Sequence, residues 1–199
     1  MERAGFRENF RYYVERKGMM EYLKTQNLII RNMTLDDIIL ICETDGDTSK
    51  ENIKYLQNQI ESQDEKLSQA LLALYNGKIA GYAFLFYRLK WGGLGYMGLP
   101  GLADLMVFKE YRRMGIASKL MDVAEKLANK YSDKIYLEVC LNSDYGAAQR
   151  MYIKRGYVPD GQGVYYESKV CPVGAQCKND DELTLCLVKE LLNNSIISK

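Results

Sequence analysis

The stretch Leu105-Met106-Val107-Phe108-Lys109-Glu110-Tyr111-Arg112-Arg113-Met114-Gly115-Ile116-Ala117-Ser118-Lys119-Leu120 is where residue types and spacing first suggest chemistry. An apolar run ends in a turn whose Gly115 and Ala117 are small, and a helical pattern opens directly after it. The first turn of a helix placed there has N–H groups with no intrahelical acceptor and carries the positive end of the helix dipole. Small side chains let a phosphate reach the backbone, so the turn reads as an anion cradle, most naturally for a pyrophosphate. Arg112, Arg113 and Lys119 add positive charge around it. The segment holds neither GxxxxGK nor GxGxxG, so nucleotide triphosphatase and Rossmann chemistry fit poorly.

Such a turn has to be held between a strand and a helix, and the flanking sequence supplies both. The spacing predicts a strand over Leu102–Phe108, a turn over Lys109–Met114 and a helix from Ile116 to Lys130, with Ile116, Leu120, Ala124, Leu127, Ala128 and Tyr131 on its buried stripe. Ile135–Cys140 reads as a strand, and Asp144–Arg155 as a second helix closed by Gly156. Upstream, Leu28–Arg31 is a short strand and Thr34 caps a helix with Asp37 three residues on. Thr48–Ser68 looks helical, and Leu71–Tyr75, Asn76-Gly77, Lys78–Tyr87 is a hairpin signature. The glycine-rich Arg88–Gly101 segment must be a loop, and its aromatics on flexible backbone suit a lid that contacts substrate. Tyr157-Val158, Val164–Tyr166 and Leu183–Val188 complete the strands. Hairpins followed by strand–helix–strand–helix–strand argue for an α/β or α+β mixed sheet with helices on both faces.

Composition removes whole classes of chemistry. The 199 residues include no His, 16 Tyr and five Cys, with 27 Lys+Arg against 26 Asp+Glu. Without imidazole there is no Ser-His-Asp or Cys-His nucleophile and no HExxH or Cys/His zinc site. Proton transfer falls to carboxylate, Tyr, Cys, Lys, an amine terminus or water. The near-zero net charge argues against a dedicated nucleic-acid binder. No apolar run approaches the roughly 18–20 residues of a membrane span, and no apolar signal region opens the chain, so the expected compartment is the cytoplasm. An odd cysteine count without CxxC gives neither a disulfide framework nor a metal site; Cys171 and Cys177, with Pro172 and Gly174 between them, could approach each other in a loop. Residues 1–25 read as an extension, either poorly ordered or an amphipathic helix with Phe6, Phe10, Tyr13 and Val14 on one stripe. Residues 26–199 read as a single domain.

Arg112-Arg113-Met114-Gly115-Ile116-Ala117 resembles the Arg/Gln-x-x-Gly-x-Gly/Ala turn of the GNAT superfamily of acyl-CoA-dependent N-acetyltransferases, and Val107 to Arg112 is similar to its Val-x-x-x-Tyr-Arg lead-in. Downstream, Leu137-Glu138-Val139 looks like the family's fifth strand. Ala148-Gln149-Arg150-Met151-Tyr152-Ile153-Lys154-Arg155-Gly156-Tyr157 resembles its Ala-x-x-x-Tyr-x-x-x-Gly-Phe/Tyr segment. The likeness spans roughly Leu28 to Lys189. It implies a mostly antiparallel mixed sheet splayed between the fourth and fifth strands, and acetyl-CoA as co-substrate. It further implies that amides of Arg113, Met114, Gly115, Ile116 and Ala117 hold the CoA pyrophosphate, with Arg112 nearby. The backbone of Leu105 and Val107 would pair with pantetheine, beside a bulge near Leu105. Tyr152 would protonate the leaving thiolate, and either Asp104 or Glu138, or a water chain, would take the proton of the amine. No metal and no covalent acyl-enzyme are needed. Two departures stand out: Tyr145 occupies the place where many members carry Asn, with Asn142 and Asp144 nearby, and the Val170–Asp181 insertion precedes the last strand.

Three readings remain open at this point: direct acetyl transfer to a primary amine, small-molecule or peptide; a CoA-binding regulatory module without turnover; and a transferase for a longer acyl-CoA. A homodimer is also open, since the Tyr-rich C-terminal strands could extend a partner's sheet.

Overall fold

Short β-prone runs bounded by turn residues alternate here with helical periodicities, and the chain folds accordingly. The computed structural model describes residues 19–191. In order these form β1 (Glu21–Lys24), β2 (Leu28–Asn32), α1 (Ile38–Asp45), α2 (Lys50–Asp64), β3 (Ser68–Tyr75), β4 (Lys78–Phe86), β5 (Gly101–Val107), α3 (Ile116–Ala128), β6 (Lys134–Cys140), α4 (Gly146–Lys154), β7 (Val158–Tyr166), β8 (Lys169–Val170) and β9 (Leu183–Glu190). The strands make one mixed sheet in the order β1-β2-β3-β4-β5-β6-β9-β7-β8. Contacts divide the chain into two compact units: residues up to Ala83 with Leu105–Val123, and Phe84–Asp104 with residues from Ala124 on. β4, β5 and α3 each contribute residues to both.

In the first unit, β2 pairs antiparallel with β3 from Leu28↔Tyr75 to Asn32↔Leu71, and Asn76-Gly77 turns β3 into β4, both residues with positive φ as an Asn-Gly hairpin turn demands. The start of the first helical segment is tied to β2 by a buried ion pair. Arg31 Nη1 and Nη2 donate to Asp37 Oδ2 and Oδ1 at 2.8 and 2.7 Å, and the Thr34 amide donates to the same Oδ2 at 2.8 Å. Ser49 caps α2, its hydroxyl accepting from the Asn52 amide. β1 lies inside the stretch read as an extension. It pairs with β2 through Leu23↔Ile30 and Lys24↔Ile29, its exposed charged ends having hidden the pattern. Residues 1–18, with the Phe6, Phe10, Tyr13 and Val14 stripe, lie outside the described residues.

In the second unit, β6 pairs with β9 over its full length, from Lys134↔Glu190 to Cys140↔Thr184. Tyr136, Tyr157 and Tyr165 are its largest fully buried side chains. Glu125 collects two cations, Arg155 Nη2 at 3.0 Å and Lys189 Nζ at 2.6 Å. The separate Tyr157-Val158 and Val164–Tyr166 runs are one strand, β7, whose register on β9 shifts between Pro159 and Val164; Gly161 and Gly163, both at positive φ, absorb the irregularity. The α3 stripe is buried as its spacing requires, except that Tyr131 is 57% exposed and stacks on Tyr87 with ring centroids 4.0 Å apart.

Candidate active site

Backbone decides the first half of the site. Gly81 on β4 is a close-approach position: an added Cβ would collide with the Met106 carbonyl of β5. At the chain position just before Leu105, Asp104 adopts φ 49°, left-handed backbone that short polar residues tolerate at some strain. The expectation near Leu105 is a bulge; what stands beside it is this one left-handed residue. The β5–β6 ladder is parallel and contains two pairs, Gly101↔Tyr136 and Leu102↔Leu137; none of Ala103 to Val107 belongs to it. With β1 counted, these are the fifth and sixth strands.

The β5 strand then runs through a single 3₁₀ turn, Lys109–Tyr111, into the basic turn. Arg113 and Gly115 stand at φ 67° and 77°. Left-handed residues so spaced gather successive amides toward one point. The first helical bond of α3 runs from the Lys119 amide to the Gly115 carbonyl at 3.1 Å, so the amides of Gly115, Ile116 and Ala117 precede the helix's own ladder. A Cβ on Gly115 would meet no protein atom within 4 Å. That open space lies beside exposed Arg112, Arg113 and Met114, so these residues and the turn's amides could hold an anion. Arg112 Nε donates to the Val107 carbonyl at 3.1 Å, so this arginine rests on the strand end rather than pointing away from it. Lys119 is paired with Asp122 at 3.1 Å.

The second unit carries Tyr152 and Glu138. Tyr152, on α4, is 7% exposed and meets Tyr157 edge-on, centroids 5.9 Å apart. Burial, and secondarily the Cys140 sulfur, pushes its phenol up to about 12, so it stays protonated at any working pH. Glu138 on β6 is clasped: one carboxylate oxygen accepts from the Gly93 amide, the other from the Thr184 hydroxyl at 3.3 Å. Nearby, the Tyr136 hydroxyl donates to the Trp91 carbonyl at 2.9 Å. The Arg88–Gly101 segment is therefore no free lid. Its Trp91–Gly93 portion is seated on β6, while Tyr96 at its tip is 81% exposed. Both glycines are required by contact: a Cβ on Gly92 would strike the Glu138 carboxylate, and one on Gly93 would strike the Tyr165 ring and lie 2.8 Å from Cys186 Sγ. Gly93→Ala should destabilise the protein by about 1–3 kcal/mol, the usual cost of overpacking, read as a lower urea midpoint. An unchanged midpoint would mean the loop is not seated there.

Asp104 is exposed. Tyr145, at the family's Asn position, has its phenol pushed up by burial first and then by Cys140 and Asp181. Asn142 instead caps its own turn, accepting from the Asp144 amide at 3.1 Å and donating to Asp181 at 2.9 Å. Sequence reading missed two things here. One is Cys140, whose carbonyl takes Gln149 Nε2 at 2.8 Å. The other is the seating of the loop on Glu138. The Gly92-Gly93 doublet beside Trp91 was the visible signal, but its partners lie about 45 positions away.

Known proteins carry the same pattern. A family model described as an acetyltransferase (GNAT) domain matches residues 42–170. The chain belongs to the GNAT acetyltransferase family. As a GNAT protein it is an acyltransferase, and its mixed open sheet with helices matches GNAT-fold structures. An N-alpha-acetyltransferase of Saccharolobus solfataricus is 30% identical over 158 residues, 71% of this chain and 92% of that protein. Among solved structures, the ribosomal L7/L12 alpha-N-protein acetyltransferase RimL in complex with coenzyme A is similar with a TM-score of 0.65 at 9% identity, covering 86% of this chain and 98% of that one. The ribosomal-protein-S18-alanine N-acetyltransferase of Escherichia coli is similar with a TM-score of 0.59 at 14% identity, covering 86% and 99%. At such identities the likeness is one of fold. In this GNAT acetyltransferase no helix among the described residues is long and apolar enough to cross a membrane.

Proposed function

We propose that the protein transfers an acetyl group from acetyl-CoA directly to the α-amine of a protein N-terminus in the cytoplasm. The observation that carries the reading is the course of β5, which leaves its ladder after two pairs, bends at Asp104 and delivers the chain into the Arg112–Ala117 turn. The α-amine is favoured by the relative that shares 30% identity, an N-alpha-acetyltransferase. Residues 26–199 act as the catalytic domain, with β1 added to it.

Amides of Arg113 to Ala117 hold the pyrophosphate, with Arg112 swinging from the Val107 carbonyl to the phosphates. The freed backbone of Leu105 and Val107 pairs with pantetheine, and the Leu105 amide polarises the thioester carbonyl. Glu138 takes a proton from the substrate ammonium, freeing the lone pair that then forms the C–N bond, or from a neutral amine nitrogen as that bond forms. Tyr152 donates to sulfur as the C–S bond breaks. Glu138 is preferred to Asp104 because its carboxylate is fixed by Gly93 and Thr184, whereas Asp104 is exposed and its main contribution is the bend.

Incubation with acetyl-CoA and peptides bearing free or blocked N-termini, read by thiol release and peptide mass, tests the acceptor. Acetylation only of free α-amines supports the reading; turnover confined to lysine side chains or small polyamines, or none at all, overturns it. Glu138→Gln, whose amide oxygen still accepts from Gly93, should lower kcat roughly 10²-fold, while Asp104→Asn should stay within a few fold. The reverse ranking would move the base to Asp104.

A further inference from the structure

We propose that Glu125 is the positioning residue for the Tyr152 phenol, acting through Arg155 and Lys189. The inference rests on the reading of Tyr152 as proton donor to the departing thiolate; Glu125 itself is assigned no step of the chemistry. Tyr152 stands on α4, a helix of nine residues whose N-cap, Tyr145, makes no side-chain capping bond. A helix that short is marginal on its own, so its pose is set by what ties it to its surroundings. Gln149 holds it to the Cys140 carbonyl of β6, and Arg155 at its C-terminal end is held by the Glu125 carboxylate of α3.

That carboxylate is shared. Arg155 Nε donates to Oε1 and Nη2 to Oε2, both at 3.0 Å, while Lys189 Nζ on β9 donates to Oε2 at 2.6 Å. The side chains of Glu125, Arg155 and Lys189 are 12%, 16% and 21% exposed, which separates them from solvated surface pairs that contribute little. Two paths lead from this cluster to Tyr152. Along the backbone, the amides of Arg155 and Tyr157 both donate to the Tyr152 carbonyl, at 3.0 and 3.1 Å. Through the rings, Lys189 Nζ lies 5.6 Å from the centroid of Tyr157, and Tyr157 meets the Tyr152 ring edge-on. Both tyrosines are buried in close packing, so a shift of one ring is felt by the other.

Neutralising the carboxylate has a definite consequence. Arg155 and Lys189 become two partly buried cations without the anion they share, and their repulsion is relieved when the last turn of α4 moves away. Tyr152 travels with that turn, because its carbonyl is bonded to it. A displacement on the order of 1 Å between a proton donor and its acceptor lowers a rate about 10²-fold. The grip also depends on shape. Arg155→Lys keeps the charge but loses the planar fork that engages both carboxylate oxygens.

The test follows CoA release by the full chain from acetyl-CoA and a peptide with a free N-terminus. Glu125→Gln keeps the side chain's size and one acceptor oxygen. It should lower kcat roughly 10–100-fold, with the KM for acetyl-CoA changed by less than about threefold. Arg155→Lys, the milder change should Glu125→Gln fold poorly, should lower kcat about 3–10-fold. Adding Tyr152→Phe to either variant should give the rate of Tyr152→Phe alone, because no phenol is left to position. Losses that multiply in the double variants, or a wild-type kcat in both single variants, overturn the proposal. Protein labelled in its tyrosine rings gives an NMR readout independent of turnover. The Tyr152 signal, assigned by its loss in Tyr152→Phe, should shift or broaden in Glu125→Gln, and an unmoved signal overturns the positioning role. A normal rate for Tyr152→Phe would instead remove the proton-donor reading, while the ring signal still decides whether Glu125 holds Tyr152 in place.

Discussion

Gly115→Val is expected to raise the KM for acetyl-CoA by roughly 10²–10³-fold, the loss of one or two amide contacts to a charged phosphate at about 1.5–3 kcal/mol each. Two effects combine. At φ 77° a β-branched residue is strained by roughly 1–2 kcal/mol, which alone loosens the turn. The added side chain also enters the space beside the amides of Ile116 and Ala117, where no protein atom stands within 4 Å. Gly46 separates the two. It closes α1 at φ 83° with open space around its missing Cβ, so Gly46→Val carries the same strain away from the turn. Titration of each variant with CoA, alongside its thermal midpoint, should show both losing stability and only Gly115→Val losing affinity. Equal affinities would remove the cradle from this turn.

Tyr152→Phe is expected to lower kcat by about 10²–10⁴-fold with little change in the KM for acetyl-CoA, the signature of a proton donor used late in the reaction. Burial sets the sign of its pH behaviour. The required form is the neutral phenol, present below the folded pKa and lost as pH rises through about 12. The wild-type enzyme should therefore show no alkaline fall assignable to Tyr152 across the measurable range, and the ratio of wild-type to variant kcat should be flat with pH. A phenol held that high is a weak acid beside a free thiol near 8.5, so donation is favourable only because the departing thiolate is desolvated in the same way. Rapid-quench measurement of the chemical step would expose the deficit even where product release limits turnover. A variant with the wild-type rate at every pH would remove Tyr152 from the chemistry.

What could be read from the sequence was what spacing within about 20 residues encodes. The Asn76-Gly77 hairpin, the α3 stripe and the strand–turn–helix around Gly115 announce themselves because turn geometry and amphipathic period are local. β1 did not, since Glu21 and Lys24 bracket only two less polar residues. An irregularity near Leu105 was expected only through the family likeness, since nothing in local spacing marks Asp104 as the residue that carries the positive φ. The loop on β6 was misjudged as mobile because its anchors, Glu138 and Tyr136, are remote in sequence and meet it only after β6 and β9 are paired. The absence of histidine was legible from the outset and narrowed the proton carriers to the residues on which the proposed mechanism rests.

The sheet ends, beyond β7, on β8, a strand of two residues, Lys169 and Val170. A strand that short offers a neighbouring chain almost no ladder to copy, and its approach carries a lysine side chain, with left-handed Glu167 and Ser168 bending the hairpin just before it. Shelf life and colloidal behaviour follow from this. At high concentration the part of the edge that β8 covers is poorly suited to seed sheet extension, and deleting the β8 turn would lengthen the uncovered edge of β7 by Tyr165 and Tyr166.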